Sequence, residues 1–249
     1  MTQSTMPEVL RLMGDERRWQ LLRELARSDL KVGELVGLVG KPQNLVSYHL
    51  AELRKSGLVS SRRSSADARD SYYRFEARRC AELLCAAGNA LTPALKVDLD
   101  LRPGALKRRR VSVLFLCTGN SARSQMAEAL AERLSNGVVR ARSAGSHPKP
   151  LHPNAIRVMA ERGIDISANK TKHLERFVRR RFDRVVTLCD KLREVCPNFP
   201  ARDAKAHWSI ADPSTADGET YPAFVHVADE LEWRIQLLLT DLSMLNASS

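Results

Sequence analysis

Five cysteines, one arginine and one Asp-Pro step carry most of the chemistry this 249-residue chain is able to perform. The densest arrangement is Cys117-Thr118-Gly119-Asn120-Ser121-Ala122-Arg123-Ser124. An apolar run, Val111 to Leu116, stops at the cysteine, small polar residues follow, and helical periodicity begins at Gln125-Met-Ala-Glu-Ala-Leu. This reads as strand, loop, helix. Unpaired N–H groups and the positive dipole end at the helix start favour an anion, and a tetrahedral oxyanion fits there. The same field, with Arg123 beside it, holds Cys117 as the thiolate that acts as nucleophile. Ser124 is placed to donate a hydrogen bond to that sulfur.

The elements that must position these residues follow from the surrounding pattern. After the loop comes a helix to Leu134, a strand over Val138–Ser143, a helix over Asn154–Arg162 and a strand over Asp183–Leu188 that ends at Cys189. Strands alternating with helices predict a parallel sheet that binds ligands at the carboxyl ends of its strands, where Cys117 and Cys189 both fall. Further on, His207-Trp-Ser-Ile-Ala-Asp212-Pro213 offers a carboxyl group on a proline-stiffened loop, suited to protonate an oxygen leaving the oxyanion.

The run Cys-Thr-Gly-Asn-Ser-Ala-Arg-Ser-Gln-Met-Ala-Glu resembles the active-site loop of the low-molecular-weight protein tyrosine phosphatase superfamily, and within it the thioredoxin-coupled arsenate reductases. The resemblance covers residues 111 to about 240. It implies an α/β fold, Asp212 as general acid, and an oxyanion cradle formed by Thr118, Gly119, Asn120, Ser121, Ala122, Arg123 and Ser124. A phosphatase needs one thiol. Reducing As(V) to As(III) takes two electrons, which two thiols supply by becoming a disulfide. Cys189 and Cys196 are extra, and their Cys-x6-Cys spacing after a strand is similar to that of the reductases. The resemblance then implies that Cys117 attacks arsenate, Cys189 attacks the Cys117 adduct, and Cys196 attacks Cys189. Thioredoxin, or another thiol donor, accepts the last disulfide; no tightly bound cofactor is expected. Aromatic residues usually follow Asp-Pro in the tyrosine phosphatases, whereas Ser214-Thr215 follow here. The competing reading is a phosphatase acting on phosphotyrosine or another phosphoester. A third is an oxyanion sensor without catalysis.

Some members of that reductase family hold a potassium ion behind the loop, on residues matching Asn120, Glu128 and Ser143 plus an acidic residue. Where the acid is expected this chain has Lys172, whose ammonium is read as standing in for the cation and pairing with Glu128. No metal is therefore expected.

The first part of the chain reads differently. Residues 1–110 carry 21 Lys+Arg against 13 Asp+Glu, a formal +8, while the remaining 139 residues carry only +3. Such asymmetry points to a polyanion partner, nucleic acid before membrane. Met6 to Ser28 reads as two helices broken at Gly14-Asp15, with Asp15 as a cap. Val32–Val39 is a third helix, and Pro42-Gln43 starts a fourth that Gly57 stops. Leu45, Val46, Leu50 and Leu53 form its inward stripe, with His49 more readily packed than a ligand. Gln43, Asn44, Ser47, Tyr48 and Arg54 face outward to read base edges. Leu58–Arg63 and Ser71–Phe75 form a basic hairpin whose Arg62 and Arg63 suit phosphates.

This order, with Ser47-x-His49-Leu50-x-x-Leu53-x-x-x-Gly57-Leu58-Val59, is similar to the arsenic-repressor (ArsR/SmtB) winged-helix family over residues 5–95. The resemblance implies operator DNA as partner and a homodimer formed by the last helix, Arg78–Leu95. Arsenite-sensing members often carry cysteines on the helix before the recognition pair, which here has none. Cys80 and Cys85 remain as possible arsenite ligands. On a helix they lie about 140° apart and about 7.5 Å along the axis, poor geometry for one shared ion, so burial as small apolar residues is the competing reading.

The domain organisation expected is thus a winged-helix domain at 1–96, a basic linker at 97–110 and a reductase or phosphatase-like domain at 111–249. With no span of about 18 apolar residues, no signal peptide, and cysteines suited to a reducing compartment, a cytoplasmic protein without membrane association is expected.

Overall fold

The computed structural model describes residues 6–92, 111–195 and 205–247. The chain divides into two compact units, Met1–Asp100 and Leu101–Ser249. The linker expected at 97–110, and Cys196, lie outside the described residues.

In the first unit, α1 (Glu8–Met13) and α2 (Glu16–Arg27) are separated at Gly14-Asp15, and the Asp15 carboxylate caps α2 by accepting from Arg17 N and Arg18 N. α3 (Val32–Val39) ends at Gly40, whose φ of 61° makes the left-handed turn into α4 (Gln43–Lys55). Val46, Leu50 and Leu53 of α4 are buried against Leu21, Leu25 and Leu35. The hairpin of β2 (Val59–Arg63) and β3 (Ser71–Phe75) follows, then α5 (Ala77–Leu91). Sequence patterning does not reveal β1 (Leu30–Lys31), which pairs antiparallel with β3 and makes the hairpin a three-stranded sheet in the order β1-β3-β2. Two residues carry no periodicity by which to find them.

The second unit is built on β4 (Val111–Cys117), α6 (Arg123–Leu134), β5 (Val139–Gly145), α7 (Pro153–Ala160), β6 (Arg184–Thr187), α8 (Asp190–Val195), β7 (Ala206–His207) and α9 (Tyr221–Ala247). Its four strands run parallel in the order β5-β4-β6-β7. A central parallel strand is covered on both faces, which is why β4 reads Val-Leu-Phe-Leu without alternation: residues 113–116 are all fully buried. Asp183 ties the start of β6 to β4, accepting at 2.8 Å from both the N–H and the hydroxyl of Ser112. β7 and α9 are additions to the elements expected from the sequence. For α9 the signal is present: Phe224, Val227, Leu231, Ile235, Leu239 and Leu242, all buried, recur every three or four residues.

Candidate active site and nucleic-acid interface

The turn from β4 into α6 closes residues 117–123 around a point at the C-terminal edge of the sheet. Asn120 adopts a left-handed φ of 45°, and its N–H points at the Cys117 sulfur at 3.2 Å. Gly145, at the end of β5, must be glycine: a Cβ there would stand 2.5 Å from Thr118 O and 2.8 Å from Asn120 N. The neighbouring strand end thus packs directly on the loop backbone.

Cys117 and Ser124 lie 2.9 Å apart, sulfur to oxygen. The Asn120 amide donates to that same Ser124 oxygen at 2.8 Å, which leaves the hydroxyl proton for the sulfur. Two donors therefore converge on the Cys117 sulfur.

Asn120 also organises the ground behind the loop. It donates to Ser143 Oγ at 2.9 Å and accepts from Gln125 Nε2 and from Lys172 N. Ser143 in turn donates to Glu128, and Lys172 Nζ lies 3.0 Å from Glu128 Oε2, both side chains largely buried. These residues do not fit a potassium ion, because the Lys172 ammonium already faces the carboxylate such an ion would neutralise. Among the described residues no cluster of His, Cys, Asp and Glu is suited to hold a metal.

Arg123 is buried and bridges to the Asp-Pro loop, donating to Ile210 O at 2.9 Å and to Asp212 Oδ2 at 2.7 Å. Burial of Asp212 acts to raise its pKa, but Arg123, the Ser214 hydroxyl and N–H, and Lys149 outweigh it and hold the carboxyl below its ordinary value. Cys189, at the end of β6, is buried, with its sulfur 3.1 Å from the Thr118 hydroxyl. Burial pushes the Cys189 thiol up; Arg123 and the Thr118 hydroxyl oppose that only in part. The next residue, Asp190, is fully buried and accepts from Ser209 Oγ at 2.8 Å, with His207 Nε2 at 3.1 Å. This pins the first turn of α8 to the strand beyond.

The structure therefore brings together Cys117, the loop residues through Ser124, Arg123, Asp212 and Cys189. Gln125, Gly145 and Asp190 join them without having been singled out as site residues by sequence, and His207, quoted only as part of the Asp212 motif, is found on Asp190. The signal for Gly145 is a glycine closing a strand, which asks what approaches it; the others are known only through their partners in the fold.

Residues 112–247 match the model of the low molecular weight phosphotyrosine protein phosphatase family. The chain belongs to that family. Residues 15–61 of the first unit match the bacterial regulatory protein arsR family. The arsenate reductase of Brevibacillus brevis is 39% identical over 125 residues, covering 50% of this chain and 91% of that protein. The arsenate reductase of Bacillus subtilis is 39% identical over 127 residues, with the same coverage. A solved arsenate reductase in its oxidised state is 32% identical, covers 53% of this chain and 98% of that one, and has a TM-score of 0.47.

On the arsR-like unit, Gln43, Asn44, Ser47, Tyr48 and Arg54 of α4 are not buried in its core, as a recognition helix requires, and Arg63 on the hairpin is exposed beside half-buried Arg62. His49 is buried, with neither ring nitrogen hydrogen-bonded; it belongs to the packed face. Cys80 is buried on α5 with its sulfur 3.9 Å from that of Met13, and burial pushes its thiol up. That environment suits a core residue better than a metalloid ligand. Cys85 is partly exposed on the same helix.

Proposed function

We propose that the second unit reduces arsenate to arsenite by a relay of Cys117, Cys189 and Cys196, and that the first unit binds operator DNA as a homodimer. The chain is then a bifunctional arsenic-resistance protein, a regulator fused to a reductase, with thioredoxin or another thiol donor as the terminal reductant. Its reduced thiols and DNA partner suit the cytoplasm. The observation that carries the reading is the position of Cys189, whose sulfur reaches Thr118 in the oxyanion loop itself.

Arsenate enters the cradle of loop N–H groups, and Arg123 turns from Asp212 to the anion. Losing that guanidinium and gaining an anion beside it shifts the Asp212 carboxyl upward, toward the protonated form a general acid needs. The Cys117 thiolate attacks arsenic, and Asp212 gives its proton to the departing oxygen. Cys189 attacks the Cys117 sulfur; the S–As bond breaks with its electron pair going to arsenic, which leaves as arsenite. Two thiols have lost two electrons and As(V) has become As(III). Cys196, outside the described residues, displaces Cys117 from Cys189, and the Cys189–Cys196 disulfide passes to the donor by exchange.

The competing reading is phosphoester hydrolysis, for which Cys117, Arg123 and Asp212 suffice. Cys189 beside the loop argues against it. Following NADPH consumption with thioredoxin and thioredoxin reductase on adding arsenate decides between them. Turnover in the wild type that Cys196→Ser abolishes is expected; phosphate release from a chromogenic phosphoester without arsenate turnover would reverse the assignment.

A further inference from the structure

Residues 146–152, Ser-His-Pro-Lys-Pro-Leu-His, run alongside the oxyanion loop and are stitched to it by three backbone hydrogen bonds of 2.9 Å each. His147 N donates to Thr118 O, Lys149 N to Gly119 O and His152 N to Ser121 O. Pro148 and Pro150 flank Lys149, and a residue before proline is confined to extended conformations, so the backbone of Lys149 is set in advance. Its side chain runs over Gly119: a Cβ on that glycine would lie 3.8 Å from Lys149 Cδ. The charge at its tip lies close enough to Asp212 to help hold that carboxyl down.

Lys149 is exposed, and among the described residues no carboxylate stands within ion-pair distance of it. Arg123, by contrast, is buried and committed to Asp212 and Ile210 O. An anion approaching from solvent meets the lysine before the arginine is free. Ser214 and Thr215 hydrogen-bond to Asp212 just after the Asp-Pro step, and neither they nor residues 146–152 include a Phe, Tyr or Trp against which an aryl ester would stack. A flexible ammonium reads charge rather than shape.

We propose that Lys149 is a second cation of the oxyanion site, which captures small tetrahedral dianions at the mouth and delivers them to Arg123. The proposal rests on reading the second unit as an oxyanion-binding thiol enzyme, and it names inorganic oxyanions rather than aryl phosphoesters as the class favoured. The role is in binding, so the readout is occupancy of the loop rather than turnover alone.

The test is protection of Cys117 from iodoacetamide in the full chain, followed at that residue by mass spectrometry, with increasing arsenate or inorganic phosphate. Removing one charge-assisted interaction is expected to raise the half-protecting concentration about tenfold in Lys149→Ala. Lys149→Glu should raise it further, and Lys149→Arg should stay close to wild type. Protection of the wild type should also weaken with added salt more steeply than that of Lys149→Ala. Unchanged half-protecting concentrations in Lys149→Ala and Lys149→Glu would overturn the proposal. Wild-type protection without arsenate turnover would sink only the reductase reading, while absence of any protection by either anion would remove the oxyanion site and Lys149's role with it.

Discussion

Ser124 illustrates how much one side chain decides at this site: its oxygen accepts from Asn120, and its proton is thereby left for Cys117. Lys172 acts at the same scale. Its ammonium faces Glu128 behind the loop, so the rate of arsenate reduction should be equal in potassium and choline salts at matched ionic strength, whereas Lys172→Ala should become activated by potassium. Strong potassium activation of the wild type would refute this. Cys189 yields a pH prediction. Burial raises its pKa above the ordinary thiol value, attack requires the thiolate, and the thiolate fraction of such a group grows with pH. In single turnovers of Cys196→Ser, formation of the Cys117–Cys189 disulfide should accelerate steadily from about pH 7 to about pH 9, and Thr118→Val should slow it at each pH. A rate independent of pH across that range would mean that attack does not wait on Cys189.

At the scale of elements, the proposed relay requires α8 to change. It is helical over Asp190–Val195, and a helix continued to Cys196 would hold the Cα atoms of residues 189 and 196 about 10.5 Å apart, beyond the roughly 4.4–6.8 Å of a disulfide. Asp190 is pinned by Ser209 and His207, while Val195 at the other end is 70% exposed, so unwinding should begin from the C-terminal end. Hydrogen exchange over residues 189–200 should be faster in the oxidised protein than in the reduced one. Identical exchange in the two forms would contradict the relay. Helix α4 needs no such change: its buried stripe of Val46, Leu50 and Leu53 leaves the polar face outward.

For the whole molecule, the two units have separate buried cores and separate chemistry. Electrostatics at the hairpin belongs to the first alone. Arg62→Ala with Arg63→Ala should weaken binding to all DNA sequences alike and reduce the salt slope by about 0.9 for each phosphate no longer neutralised, read from binding at several salt concentrations. Arsenate turnover by the second unit is the internal reference in that experiment. A changed sequence preference with an unchanged salt slope would instead assign these arginines to base readout.

The amino-acid sequence alone determined the elements whose signals are local. The buried run of β4, the polar loop after it, the Asp15 cap, the inward stripe of α4 and the hairpin are legible because periodicity, capping and turn chemistry act over a few residues. The partnership of Cys117 with Ser124 was legible for the same reason, since both belong to one strand–loop–helix turn. What only the tertiary structure decided are approaches between distant segments. β1 and β7 are two residues each, and pairing with β3 and β6 makes them strands. Gly145 is required by the approach of Thr118, Arg123 is turned to Asp212, and Cys189 comes to rest on Thr118 because parallel pairing of β4 with β6 brings their carboxyl ends side by side. Side-chain spacing along the chain carries no record of such distances; they are fixed by which strand ends the sheet makes neighbours.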